Sequence, residues 1–484
     1  MSQDAAAINI ADLETEKPSL RLVAPNTKVR LGANKYRTLK RQQDWVEIFA
    51  WGTVLAVTAM FLIDGGLASL TDTAAWMSAI TRLTALVATD LLLIHMLLVA
   101  RVPWIDKLYG HDRATLTHKK LGKPILYIVT VHFITSVIQY ALLDGKNVFV
   151  EAFSMITTMQ DMWTAAIGFA LMLVVTVTSI NAARRRLSYE AWYLIHVTSY
   201  VSVLVAIPHQ FSTGSDIAGR PVQTIFWVSL YLFVAGNILW FRFAMPVVAA
   251  LRHSFKVSNV VRESSDSVSV YIGGNKLEKL GGQAGQFYML RVMTAKQWWR
   301  PHPFSISAAP NSEFVRFTIG ARGDDTELLQ NLKPGTRIAL EGPYGVFTEE
   351  RRTREKVVLL AAGIGAPPIR SLAESMAARP GDVTIIYRVR ESEDAALLGE
   401  LTEIARSRGF RMHVLEGKRG NPNSWLPAHM SGLGDHDRLT QMVPSVKDAD
   451  VFVCGPAPWT RAVVKSLDKA GTPAHQIHAE EFAW

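Results

Sequence analysis

The chain predicts a multidomain protein: a six-helix transmembrane bundle, followed by an antiparallel β-barrel and then an α/β domain built on a parallel sheet. Three observations predict it. Six apolar runs between Trp45 and Met245 approach the roughly 20 residues that cross a bilayer. Short strands broken by turns fill Val257 to Phe347, and from Lys356 the pattern becomes strand, glycine turn, helix, strand. A chain of 484 residues exceeds what one core organises, and its mean hydropathy of +0.15 averages two unlike halves. The expected divisions are a polar, disordered extension over 1–43, the membrane bundle over 44–246, the barrel over 253–350 and the α/β domain over 355–484. With no long apolar run in the first 40 or so residues, no secretory signal peptide is expected.

The six spans are placed at about Trp45 to Ile63, Leu83 to Ala100, Pro124 to Leu143, Met162 to Ile180, Ala191 to Pro208 and Thr224 to Met245. Basic residues cluster on alternate links: Lys35, Arg37, Lys40 and Arg41 before the first span, Arg101 to Lys123 between the second and third, and Arg184 to Arg186 between the fourth and fifth. The links Asp64 to Ile80 and Asp144 to Asp161 are nearly free of Lys and Arg, which predicts a multi-pass plasma-membrane protein with both termini cytoplasmic. The net charge of +9 is explained by this pattern, so the lipid bilayer and not nucleic acid is the expected macroscopic partner. The single cysteine, Cys454, excludes an internal disulfide and a thiolate-held iron–sulfur cluster.

Two spans carry matched histidines: His118 and His132 (132 − 118 = 14) and His196 and His209 (209 − 196 = 13). At about 1.5 Å per residue each pair is roughly 20 Å apart along its helix. Both helices run the same way, so depth pairs His118 with His196 and His132 with His209. Imidazole is a common haem ligand, and two axial histidines suit iron to electron transfer. Two haems are therefore expected. The alternative is four polar groups satisfied within the bundle. A 14-residue step returns within about 40° of the same helix face, whereas a 13-residue step misses by about 140°, so Pro208 is expected to unwind the helix and turn His209 inward. His95, without a depth-matched mate, and Asp90 are expected as bundle-facing structural groups, and Arg82, near the outer surface, as a side chain that snorkels, with attraction of an anionic acceptor the alternative.

In the second half, strands are expected at Ser267 to Ile272, Gln286 to Arg291, Phe314 to Ile319 and Arg337 to Leu340. The run Val357 to Leu360 leads into Gly363, Gly365 and Pro367, and a helix over Ile369 to Ala378. Glycines there let backbone approach a pyrophosphate at a helix N-terminus, although such a turn is also an ordinary tight connection. The next strand, Val383 to Tyr387, ends in Arg388 and Arg390, whose guanidinium groups could fork onto a ribose phosphate and favour NADPH. A later strand, Asp450 to Val453, stops at Cys454, Gly455 and Pro456, where the thiol is either at a ligand edge or simply buried. The chain ends on Trp484, an anchor for the last strand or a lid on a planar ring.

With these features in place the chain resembles the ferric reductase and NADPH oxidase superfamily, in its bacterial form, from the first span to Trp484. The resemblance rests on the paired histidines, with His118-Lys119-Lys120-Leu121-Gly122 opening the third span, and on His302-Pro303-Phe304-Ser305. It implies a ferredoxin reductase-like soluble half in which the tetrapeptide holds FAD: Phe304 flanks the isoalloxazine, Ser305 bonds near its reactive edge and His302 approaches the phosphates. Gly323-Asp324-Asp325-Thr326 resembles the segment under the FAD pyrophosphate, and Gly342-Pro343-Tyr344-Gly345 the turn that closes the flavin barrel. Gly363, Gly365, Cys454, Gly455 and Pro456 match the nicotinamide site, with Cys454 and Trp484 as its catalytic groups. Where oxidase relatives often have an arginine shortly before Gly323, this chain has Gly320, with Arg322 nearby. No EF-hand loop is present in the sequence.

The activity implied is transmembrane electron transfer: from cytoplasmic NADPH through FAD to an inner haem on His118 and His196, then an outer one on His132 and His209, both of b type. A ferric chelate or dioxygen at the outer face would be the acceptor. A cytochrome-type donor to a separate periplasmic protein and a His/Asp metal transporter are the rival readings.

Overall fold

The computed structural model describes residues 33–68, 70–295, 297–430 and 432–482. It divides near Ala244 into two compact units, the first spanning Arg41–Phe243. Helices come in the order α1 (Ala33–Ile63), α2 (Thr73–Leu97), α3 (Pro103–Tyr109), α4 (His111–Asp144), α5 (Val148–Thr158), α6 (Met162–Ser179), α7 (Asn181–Arg184), α8 (Tyr189–Ser212) and α9 (Pro221–Asn237). A π-helical stretch, Ile238–Ala244, and α10 (Met245–His253) follow.

Among the described residues, six helices are long and apolar enough to cross a membrane, as expected. Three begin well before their apolar runs: α1, α4, and α2, which starts at Thr73 rather than Leu83. α1 starts at Ala33, so residues 33–43 of the expected extension are helical, carried by Leu, Arg, Lys and Gln, which are strong helix formers; residues 1–32 lie outside the described residues. α4 starts at His111 and runs through Pro124, which removes only one N–H from the ladder and leaves His118 and His132 on one continuous helix.

The bundle interior holds Val57, Phe61, Leu86, Leu93, Trp227 and Val234, while Trp51, Leu55, Phe153 and Leu232 stay exposed, as side chains facing hydrocarbon do. Little hydrophobic drive operates between helices in lipid, so close packing and polar contacts hold them together. Ser202 of α8 donates to the Gly168 carbonyl of α6 at 2.6 Å, and Thr81 of α2 donates to Thr135 of α4 at 2.8 Å. A β-carbon at Gly168 would lie 2.9 Å from the Ser202 carbonyl oxygen. The absence of a side chain lets α6 and α8 meet.

The second unit opens with β1 (Lys256–Ser264), β2 (Ser267–Gly273), β3 (Phe287–Val292), β4 (His302–Ser305), β5 (Val315–Gly320), the helix α11 (Asp324–Leu329) and β6 (Ile338–Tyr344). These strands form two antiparallel sheets, ordered β1-β2-β5 and β4-β3-β6 and joined by the bridges Lys256 to Arg337 and Ile306 to Phe317. Val270, Ile272, Leu290, Phe317 and Leu340 fill the space between them.

Five parallel strands follow: β7 (Lys356–Ala362), β8 (Val383–Val389), β9 (Arg411–Glu416), β10 (Ala449–Pro456) and β11 (Ile477–Phe482), ordered β11-β10-β7-β8-β9. Helices α12 (Ala366–Ser375), α13 (Leu398–Arg408), α14 (Asp435–Met442) and α15 (Ala457–Lys469) cover both faces, so β7 is apolar on both sides: Leu359 packs towards Ile369, and Leu360 towards Val463. α12 begins three residues ahead of the expected Ile369 because a proline is favourable in the first helical turn.

Replacing Gly168 by Val should overpack the α6/α8 contact and cost about 1–3 kcal/mol. Thermal unfolding followed by tryptophan fluorescence should register a lower midpoint; an unchanged midpoint would contradict the close-approach role.

Candidate functional site

Three of the four paired histidines share one local pattern. His118 Nδ1 lies 3.0 Å from the His95 carbonyl and His132 Nδ1 lies 3.0 Å from the Thr81 carbonyl. A carbonyl only accepts, so each imidazole donates from Nδ1 and keeps the lone pair on Nε2. His196 Nδ1 lies 3.2 Å from Ser179 Oγ, whose own proton goes to the Val175 carbonyl at 2.7 Å, so His196 is again the donor. Metal-ligating histidines are usually anchored this way, with the second nitrogen held by an acceptor that fixes the tautomer.

The rings of His118 and His196 are 6.1 Å apart between centroids. Two imidazoles bound through nitrogen at about 2 Å on opposite sides of one metal ion, with ring centres about 1 Å beyond each nitrogen, stand about 6 Å apart. The 6.1 Å between His118 and His196 is close to that separation. His95, expected as a bundle-facing structural group, stacks on His118 with centroids 3.7 Å apart, and Trp192 stacks on His196 at 4.9 Å beneath the Arg184 guanidinium. Both flat neighbours restrict rotation of the two rings.

His132 and His209 line a common cavity of about 390 Å³, within the usual size for an enclosed cofactor. Its walls include Phe133 stacked on Phe169, together with Gly168, Gln210 and Tyr231. Pro208 does not unwind α8, which stays helical to Ser212; His209 reaches the cavity from a continuous helix. Arg82 lines the same cavity and grips buried Asp216 through Nε, at 2.7 Å, and Nη2.

In the barrel, β4 carries His302-Pro303-Phe304-Ser305, paired with β3 so that Leu290 faces His302 and Phe287 faces Ser305. Pro303, Phe304, Ser305 and Thr326 line one narrow cleft, with Pro367 closing it from the glycine turn. His302 Nε2 and Ser305 Oγ are buried without a hydrogen-bond partner, as groups reserved for a polar ligand would be. Burial also pushes the His302 imidazole below its ordinary pKa, leaving a neutral ring at pH 7. Thr326 Oγ1 donates to the Gly323 carbonyl and accepts from the Arg322 amide, both at 2.8 Å. A β-carbon at Gly320 would stand 3.2 Å from the Ile364 side chain, a tight contact, and Arg322 pairs with Asp266 at 3.2 Å.

The central strands β7 and β10 lie where the parallel sheet changes winding direction, the usual place for a ligand crevice. Gly363 and Gly365 end one strand, and Cys454, Gly455 and Pro456 the other. The two ends nearly touch: a β-carbon on Gly365 would sit 2.1 Å from the Cys454 carbonyl oxygen. Cys454 is fully buried, and burial followed by the charge of Glu480 drives its thiol pKa well up, so the sulfur stays protonated. At the end of β8, Arg390 is exposed, but Arg388 is turned inward. The Arg388 guanidinium bonds the carbonyls of Val389 and Leu415, and burial beside Arg419 lowers its pKa, so only Arg390 is available to an incoming phosphate. Trp484 lies outside the described residues.

Comparisons with known proteins agree with this division. Residues 84–207 match the family described as ferric reductase like transmembrane component, residues 252–348 an FAD-binding domain, and residues 359–465 an oxidoreductase NAD-binding domain. The ferredoxin reductase component of 3-ketosteroid-9-alpha-monooxygenase from Mycolicibacterium smegmatis is 29% identical over 237 residues, covering 47% of this chain and 64% of that protein. A flavohemoprotein from Oceanobacillus iheyensis is 24% identical over 240 residues, covering 47% of this chain and 58% of its own length. The chain thus spans less than two thirds of these curated relatives. The FAD/NAD-binding domain of nitric oxide dioxygenase from Vibrio cholerae matches with a TM-score of 0.38 and 24% identity, over 47% of this chain and 97% of that one.

The chain thus joins, in order, a ferric reductase-like membrane component, an FAD-binding domain and an oxidoreductase NAD-binding domain. The chain belongs to the ferric reductase and NADPH oxidase superfamily.

Of the groups that hold the histidines, Trp192 was legible, because four residues before His196 is the same helix face. Ser179 and the carbonyls of Thr81 and His95 carry no sequence signal. Gly365→Ala should force the two strand ends apart and lower kcat/KM for the nucleotide at least about tenfold, equivalent to about 1.4 kcal/mol, with FAD content unchanged. Unaltered nucleotide kinetics would show that the ends do not need to touch.

Proposed function

We propose that this protein carries electrons from cytoplasmic NADPH, through FAD and two b-type haems, to a small acceptor at the outer face of the plasma membrane, either a ferric chelate or dioxygen. The observation that carries this reading is the set of imidazoles at two depths whose Nδ1 atoms are occupied by neighbouring acceptors, two of them 6.1 Å apart. When bound, FAD would supply the change from hydride to single-electron transfer, and bis-His haem iron a one-electron relay.

The residues of the chain position and insulate these groups. His118 and His196 hold the inner iron and His132 and His209 the outer one, with Nε2 as the ligand atom at His118, His132 and His196. The distribution of Lys and Arg puts the His118 end at the cytoplasm, next to the source of reductant. Ser305 offers its unpartnered hydroxyl to the flavin, Phe304 flanks the ring, and His302 and Thr326 serve the phosphate side. Gly363, Gly365, Pro367, Gly455 and Pro456 bring backbone close to the dinucleotide. Cys454 contributes a neutral thiol beside the nicotinamide and Trp484 covers the planar rings. Arg390, rather than Arg388, takes the ribose phosphate.

Replacing His132 by Leu should remove one haem of two, measured as pyridine haemochrome per polypeptide, and stop reduction of an outer acceptor while NADPH still bleaches the flavin. Full haem content in the variant would refute His132 as a ligand. Arg390→Glu should shift the NADPH to NADH ratio of kcat/KM by about 10-fold to 100-fold towards NADH, the worth of about 1.5–3 kcal/mol for a charged hydrogen bond. An unchanged ratio would remove Arg390 from the phosphate site. Formation of iron(II) without oxygen marks a reductase; reduction of cytochrome c abolished by superoxide dismutase marks an oxidase.

A further inference from the structure

We infer that a buried cluster of four charged side chains, Arg316, Glu400, Arg370 and Glu374, is the positioning device that sets flavin and nicotinamide at hydride-transfer distance. Arg316, on β5 of the barrel, forms a fork with Glu400 of α13, both pairs at 2.9 Å. Glu400 also accepts from Arg370 Nε of α12 at 2.8 Å, and Arg370 pairs in turn with Glu374 one helical turn along. All four residues are less than 9% exposed. Two positive and two negative charges offset one another within the cluster.

Each end of the cluster lands beside a cofactor-binding segment. On the barrel side, Arg316 Nε donates to Ser307 Oγ at 3.0 Å and its NH2 nitrogen to the Ser307 carbonyl at 2.5 Å. Ser307 is two residues past Ser305 (307 − 305). Glu374 accepts from the Ala309 amide at 2.5 Å, and Ser371 donates to the Ala308 carbonyl at 3.0 Å. On the nucleotide side, Arg370 lies five residues past Gly365 (370 − 365), on the helix that starts from the glycine turn. One hydrogen-bonded unit therefore grips the strand leaving the flavin tetrapeptide and the helix leaving the dinucleotide turn.

Burial of four charges is poor value as mere adhesive, since well-packed apolar residues of similar volume often do as well. What apolar contacts lack is direction: the forked Arg316–Glu400 pair and its angled bonds admit one relative placement of the two segments. Hydride transfer needs that precision, because a displacement of about 1 Å can cost about 100-fold in rate. The exposed contact between Asp394 and Ser265, also linking barrel and α/β domain, has none of this enclosure and serves as the control.

The inference rests on the NAD(P)H- and FAD-dependent activity, which reduction of the wild-type flavin in the same experiment checks separately. Full-length Glu400→Gln, Arg316→Lys and Asp394→Ala proteins are loaded with FAD, and anaerobic flavin reduction by NADPH is followed by stopped flow. Nucleotide affinity, FAD stoichiometry and amide hydrogen exchange over 366–375 are measured on the same samples. Glu400→Gln should slow the limiting reduction rate about tenfold or more, with NADPH affinity changed less than about threefold, FAD content intact and faster exchange in α12. Arg316→Lys, which keeps the charge but loses the fork, should fall between this variant and wild type, and Asp394→Ala should match wild type. A wild-type limiting rate in Glu400→Gln overturns the assignment. So does a rate loss that only follows FAD loss, or, if Glu400→Gln does not fold, a wild-type rate in Arg316→Lys.

Discussion

Everything in the membrane half depends on what an imidazole does when its N–H is tied to a neighbouring acceptor in a medium with no water. The His95 and Thr81 carbonyls of α2 accept the Nδ1–H groups of His118 and His132. The ring then has one tautomer, one orientation and one remaining nitrogen. A polar side chain in hydrocarbon is costly, and here its cost is met in a manner that leaves it ligand-competent. The small residues follow from the same need: Gly168 and Ser202 bring α6 onto α8, the helix that carries His196 and His209.

The soluble half solves a different problem, the close meeting of two strand ends and two domains. Gly365 lies against the Cys454 carbonyl because no side chain can, and Gly320 lets Ile364 of the nucleotide turn rest on the barrel. The buried Arg316–Glu400 fork gives that contact a direction, while Cys454 is sealed from water and held neutral.

Periodicity and motif spacing made much of this legible in the chain itself. The six spans, both soluble domains, the helix after Gly365 and the depth-matching of His118 with His196 were readable because bilayer thickness and helical rise are fixed lengths. Side-chain direction was not. Nothing in the run Arg388-Val389-Arg390 says that the first guanidinium turns back to carbonyls while the second stays exposed. The stacking of His95 on His118 depends on how α2 packs on α4, and the pairing of Arg82 with Asp216 spans 134 positions (216 − 82). Helical wheel arithmetic placed His209 on the wrong face, yet it lines the His132 cavity from an unbroken helix. An ideal 100° step is a poor guide over a long helix containing proline.

The central claim, that histidine-held haems on this chain receive electrons from a flavin reduced by NADPH, is tested most directly by one anaerobic optical titration of the purified full-length protein. The account predicts a Soret band and flavin absorbance in the oxidised sample. On adding NADPH the flavin should bleach and the haem bands should sharpen and shift to those of reduced six-coordinate b-type haem, in a ratio of two haems to one flavin. A protein that bleaches its flavin but carries no Soret band, or whose haem bands do not respond to NADPH, would contradict it.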